Sequence, residues 1–274
     1  MKKISALSLV VAAAIVLAVS ATAHAARSIS GTWSLHRTTH SDHRYELRLY
    51  RGDDEHDSET TLHLDSMPSG RDFSVAREAG TFHFTGTLGD DTGSGQFTFT
   101  PSEAFVSGLA SRGIQTSSDD DILVAASIDL TLAYIDSISA AGYRDIGFEH
   151  LIAFRALQVT PASIADLRSI FGQMGTEDVI SATALHVTRA YVEELRSMGV
   201  GDITPERAVT FKALHIDKGY VAELARMGYA HMPPDQIVSF KAMHIDEAYL
   251  QHLRAHGLKN LTPQQVIEMK ATGL

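Results

Sequence analysis

The chain has 274 residues, with 23 Lys and Arg against 33 Asp and Glu, a formal charge of -10. That balance argues against a nucleic-acid phosphate backbone or an anionic membrane surface as the main partner. With 44% hydrophobic residues, 20% charged and only 7 Pro, the composition is globular and long enough for one large or two modest domains. No cysteine is present, so disulfides, a lipidated cysteine and a cysteine nucleophile are all excluded.

The chain opens on "MKK", a basic start, followed by the apolar run "ISALSLVVAAAIVLAVS" and the small-x-small ending Ala23-His24-Ala25. This reads as a signal peptide over residues 1–25, cleaved after Ala25, with a periplasmic or secreted product. An uncleaved anchor is the alternative, but about 17 apolar residues are marginal for a span.

Residues 26–101 carry a period of two. "GTWSLHRT", "RYELRLYR", "ETTLHLDS", "RDFSVARE", "GTFHFTGTL" and "GQFTFTP" alternate apolar and polar residues. Polar connectors such as "TTHSDH", "RGDDEHDS", "MPSG" and "GDDTGS" separate them. Six short strands at this spacing predict an antiparallel sheet with one buried face. So small a sheet is expected to lean on the rest of the chain.

Residues 102–274 change to a helical period and add a longer one. "FKALHIDKGY" at Phe211–Tyr220 returns as "FKAMHIDEAY" at Phe240–Tyr249. Steps of 28 or 29 residues align Asp129, Gln158, His186, His215, His244 and Gly273. The same step aligns Tyr134, Ser163, Tyr191, Tyr220 and Tyr249, and also Gly142, Gly199, Gly228 and Gly257, with Phe171 breaking the glycine column. Five full repeats and half of a sixth result, each of two short helices. In "TPERAVTFKAL", Thr204 is the expected N-cap, with Pro205 at the first helical position, and Thr262-Pro263 repeats the pair. The second helix starts at the Thr188 or Asp217 column and stops at the glycine. Such pairs cannot bury their faces alone, so the predicted fold is α+β: a small antiparallel β domain followed by an α-hairpin solenoid.

Evenly spaced histidines invite a metal reading. The column holding them, however, also holds Asp129, Gln158 and Gly273, and it falls where the first helix ends. Asp, His and Gly tolerate the left-handed conformation that closes a helix, and a histidine there can also favour the helix dipole. A shared metal would require ligands about 2 Å from one ion, whereas stacked helices stand roughly 8–10 Å apart. The column is therefore expected to end helices, and no metal or cofactor is assigned. The tyrosines, with Leu195, Leu224 and Leu253 four residues on, are expected on the inner face of the second helix.

A basic column, Arg155, Lys212, Lys241 and Lys270, is interrupted by Thr183. It could form a ladder for an acidic protein or peptide partner, or consist of lysines snorkelling from the edge of the buried face. Other clusters carry less. His252 and His256 are four apart, and His36, His40 and His43 lie at a strand end and loop. Arg51-Gly52-Asp53 spells an adhesion tripeptide by coincidence. Asp90, Asp91 and Ser94 fit a hairpin turn as well as a calcium site, and Asp119–Asp121 cap a helix. No G-x-S-x-G, Walker loop, HExxH or dinucleotide fingerprint occurs, so no enzyme activity is expected.

"FSVAREAGTFHFTGTLGDDTGSGQFTFTP" (Phe73–Pro101), followed by repeats such as "KALHVTRAYVEELRSMGV", resembles a known region. It follows the membrane metallopeptidase domain of bacterial antibiotic-sensing regulators of the BlaR/MecR type, and also occurs in stand-alone exported proteins. The resemblance runs from about Gly31 to Leu274. Relatives read G-V-T-P-E-Y at the repeat joint; here His186, His215 and His244 replace the glycine, while Thr160-Pro161 keeps the Thr-Pro pair. The peptidase part has no counterpart, so its activity is not implied. What the resemblance implies is an extracytoplasmic sensing or interaction module. The functional expectation is accordingly an exported non-enzymatic interaction or sensing module, with a periplasmic metal- or small-ligand-binding protein as the alternative.

Overall fold

The computed structural model describes residues 28–38, 45–53 and 56–273. Residues 1–27, with the expected signal segment, and His40 and His43 lie outside the described residues. Six strands form one antiparallel sheet: β1 (Ile29–Arg37), β2 (Tyr45–Asp53), β3 (His56–Leu64), β4 (Asp72–Arg77), β5 (Gly80–Leu88) and β6 (Thr92–Pro101). Their order is β3-β2-β1-β6-β5-β4. Two meanders are thus joined along β1 and β6, where Trp33 stands opposite Gly95. β2 and β3 run further than the sequence pattern suggests, pairing through most of what reads as an eight-residue connector as far as Asp53 opposite His56.

Alternation puts Trp33, Leu35, Leu47, Leu49, Leu62, Phe82, Phe84, Phe97 and Phe99 on one buried face. Each large side chain so buried contributes about 1.5–3 kcal/mol. The Trp33 indole N–H donates to the carbonyls of Thr85 and Gln96, at 3.2 and 3.1 Å, so the largest ring in the sheet is buried with its polar atom satisfied. Beside it β5 and β6 approach closely: a Cβ on Gly95 would lie 1.9 Å from the Thr85 oxygen, which is why the strands can meet there only at glycine.

The helical part alternates first helices, α2 (Asp119–Ser127), α4 (Phe148–Ala156), α6 (Thr176–Ala184), α8 (Pro205–Ala213), α10 (Pro234–Ala242) and α12 (Pro263–Thr272), with second helices. The second helices are α3 (Leu132–Ala140), α5 (Pro161–Phe171), α7 (Arg189–Ser197), α9 (Lys218–Arg226) and α11 (Glu247–Ala255). From α4 to α12 each first helix packs on the next, which builds the solenoid layer. The caps fall where the residue types place them. Thr131, Thr188, Asp217 and Asp246 accept from the backbone N–H of the tyrosine three residues on, and Thr204 accepts from Arg207. At α2 the cap is Ser118, with Asp121 completing a capping box.

A helix outside the aligned repeats, α1 (Glu103–Ser111), continues the register. Ser102, Phe105 and Gly113 lie 29 residues before Thr131, Tyr134 and Gly142, so α1 is a second helix whose first-helix partner is replaced by strand β6. The sheet's apolar face closes on this end of the array. α2 packs against β3, β5 and β6, and a continuous buried core runs from Trp33 to Val266. Polar ties reinforce the junction: Arg51 pairs with Asp120, Arg77 approaches Asp129 at 3.7 Å, and Glu78 accepts from the Leu132 N–H at 3.3 Å. Arg51 of the apparent adhesion tripeptide is therefore committed to this junction.

Candidate functional site

The histidine column ends helices through its backbone. Asp129 and Gln158 have φ 55°, His186 52°, and His215 and His244 53°, all left-handed; Gly273 has φ 81°. Around His215, the N–H of His215 donates to Lys212 at 3.1 Å and that of Ile216 donates to Phe211 at 2.8 Å. The same pair of bonds recurs at Asp129, Gln158, His186 and His244. This is a Schellman closure, and Ile216 and Phe211, both fully buried, occupy the positions whose apolar side chains accompany it. The three histidine side chains themselves are exposed. Among the described residues no three His, Asp or Glu side chains gather in a metal-holding arrangement. His252 and His256 sit with ring centroids 4.3 Å apart, and the His256 Nδ1 lies 2.9 Å from its neighbour's carbonyl oxygen. Asp91 is engaged by the Tyr45 hydroxyl and by Arg37.

The basic column and the tyrosine column meet across successive repeats. Arg155 lies over the Tyr134 ring at 5.6 Å, Lys212 over Tyr191 at 4.5 Å, Lys241 over Tyr220 at 4.2 Å and Lys270 over Tyr249 at 4.1 Å. The phenol completes the joint from the other side: Tyr134 donates to the Val159 carbonyl at 2.8 Å and Tyr191 to Ile216 at 2.9 Å. Burial pushes the hydroxyls of Tyr134, Tyr191 and Tyr220 up to about 12. Where Ser163 replaces the tyrosine, Thr183 replaces the cation, and where Phe105 stands in that column the cation position holds Ala126. Ring and cation are thus present or absent together. The four cations are half-buried and seated on these rings, the edge-of-core arrangement rather than an open ladder.

The surface left open by the first helices has its own columns. Ile152, Ile180, Val209, Val238 and Ile267 are partly buried against the core, with one edge at the surface, and Ala156, Ala184, Ala213, Ala242 and Ala271 are exposed beside them. Glu149, Glu177, Glu206 and Asp235 line the N-terminal edge of the same helices. Two of these acids are linked to the preceding helix, Glu177 to His150 at 2.7 Å and Asp235 to Arg207 at 3.3 Å. Hydrogen bonding from the Thr204 side chain holds the Glu206 carboxyl below the usual carboxylate range. Between α8 and α10 the face forms a cavity of about 300 Å³ lined by Thr210, Arg207, Asp235 and Val238. The outward side of the second helices contrasts with this face, carrying Glu193, Glu194, Arg196, Lys218 and Arg226 in exposed positions. The first helices are mostly buried: Ala208 and Phe211 are fully so, Val209 packs partly against the core, and Glu206, Arg207 and Thr210 form the polar edge.

Comparisons with protein-family models, with curated proteins and with solved structures match nothing. No single helix among the described residues is long and apolar enough to cross a membrane.

Proposed function

We propose that this chain is an exported, non-enzymatic protein-interaction or sensing module that receives a partner protein across the outward face of its first helices. The observation that supports this most is the repetition of that face. One aliphatic residue and one alanine recur per repeat from α4 to α12, on a surface where helices ordinarily carry charge. A regular row of small and partly exposed apolar side chains along a repeat array is a feature of interaction sites. The export reading rests on the amino-terminal 25 residues, and the link to envelope sensing rests on the BlaR/MecR-type resemblance.

Affinity capture from envelope extract tests the reading. The wild-type chain should retain a discrete protein that Val209→Lys/Val238→Lys loses, with the variant still folded by circular dichroism. A partner retained equally by both proteins would refute this placement of the site. The basic column gives the control: if Lys212→Glu/Lys241→Glu/Lys270→Glu abolished capture while remaining as stable as wild type, the partner would lie on that row instead.

A further inference from the structure

Arg168 on α5 and Arg254 on α11 occupy the same column of the repeat, and each reaches back to the end of the preceding second helix. Arg168 donates to the Ala141 carbonyl and lies over Tyr143 at 4.9 Å; Arg254 donates to Met227 at 3.4 Å. The two differ in what neutralises them. Arg254 binds Glu247, seven residues earlier at the first position of its helix, at 2.9 Å. The equivalent position on α5 is Pro161. Arg168 forms no ion pair with any described carboxylate, and its Nε is buried without an acceptor. A half-buried guanidinium lacking its counter-ion is unfavourable; the Nε is closed off from solvent, so a carboxylate would offset part of that cost only through the N–H groups that reach the surface.

The space in front of the two arginines differs in the same sense. Arg254 lines a pocket of about 260 Å³ between α9 and α11, whereas Arg168 lines a wider, more open surface groove of about 740 Å³ between α3 and α5. The larger one is walled by Ala140, Ala141, Pro161, Ile164 and Ala165, with the Ser169 hydroxyl at its edge. A second guanidinium, Arg189, donates to that hydroxyl. This is also where the array is irregular. α5 has 11 residues against nine in the other second helices, and the repeat step here falls to 28.

We propose that the groove between α3 and α5 binds a carboxylate carried on a short apolar group, with Arg168 supplying the charge that Glu247 satisfies internally at Arg254. The planar fork of a guanidinium suits a carboxylate, and the small apolar walls suit an alkyl body. The ligand is a small apolar acid or the free C-terminus of a peptide ending in apolar residues. The site lies on the second-helix side and is independent of the partner face proposed above.

Calorimetric titration of the full chain tests it, with hexanoate, acetyl-Ala-Leu-Ala acid and the same peptide as its amide as probes. The acids should bind saturably and the amide at least about tenfold more weakly. Pro161→Glu, which restores the internal carboxylate, should weaken acid binding about tenfold or more while leaving the thermal transition unchanged or higher. Arg168→Met should also abolish binding, whereas Arg254→Met and Val238→Lys should bind as wild type. Tighter binding of hexanoate or of the peptide acid identifies which source of carboxylate fits. The proposal is overturned if the amide matches the acid, if Pro161→Glu and Arg168→Met bind like wild type, or if neither acid gives a saturable signal up to about 10 mM.

Discussion

Replacing the histidines of the helix-ending column should stabilise the protein when the replacement is glycine and destabilise it when it is valine. His215 is held at φ 53° with its side chain in solvent, so packing contributes little to either change. A side chain with a Cβ in the left-handed region costs about 1–2 kcal/mol, which glycine avoids. Glycine in turn adds about 0.4–1 kcal/mol of unfolded-chain entropy. The net expectation for His215→Gly is a gain of about 0.5–1 kcal/mol. Valine, β-branched and poorly suited to positive φ, should lose about 1–2 kcal/mol. His186, His215 and His244 lie in separate repeats, so their effects should add. The triple glycine variant should therefore gain about 2 kcal/mol, or roughly 4–8 °C in Tm at this size. Urea and thermal unfolding followed by circular dichroism give both quantities. A triple glycine variant less stable than wild type would refute the backbone role. So would a zinc-dependent stabilisation of wild type that this variant loses, because the side chains would then be holding something.

The joints between repeats make further predictions. Tyr191→Phe should cost about 1 kcal/mol, since it removes the 2.9 Å bond to Ile216; Tyr220→Phe should be neutral or stabilising, because that hydroxyl is buried without a partner. Equal losses in chemical denaturation would contradict the assignment. Lys212→Met keeps the aliphatic stem and should lose about 0.5–1 kcal/mol from the ring contact, while Lys259→Met on the surface should change stability by less than about 0.5 kcal/mol. Stability should also fall in alkali. Tyr134, Tyr191 and Tyr220 titrate near 12 when folded against an ordinary 10.0, so between these values the folded state retains protons that the unfolded chain has released. Their contribution is complete below pH 10 and lost as pH rises through 12, at up to roughly 1.4 kcal/mol per pH unit for each tyrosine. Urea melts across this range should show the decline in wild type and a flatter profile in the triple Phe variant.

The repeat period was legible because closing a helix leaves few choices at one backbone position, so Asp129, His215 and Gly273 share a column despite their different chemistry. The strands were legible from alternation, but their order was not: β1 pairs with β6 from Ile29–Phe99 to His36–Thr92, and no local pattern records that. The register of α1 escaped because its first-helix partner is a strand, although Ser102, Phe105 and Gly113 already keep the step. The cation–tyrosine joint left a readable trace in the paired loss at Ser163 and Thr183. It was missed because each column was weighed alone, and the two residues belong to different repeats. The partly exposed edge of the first helices' aliphatic row was hidden for a related reason. An Ile or Val in a helix reads as buried, and only the placement of neighbouring helices shows that Val238 borders a groove between α8 and α10.

The most direct test of the interaction reading is site-specific photo-crosslinking in the cell that produces the protein. A photoreactive residue would be placed at Ala213 or Ala242 on the first-helix face, and at Glu193 or Ala222 on the second helices. Adducts of the same partner mass should form from Ala213 and Ala242 and not from the other two positions. Adducts confined to the second-helix positions would contradict the account.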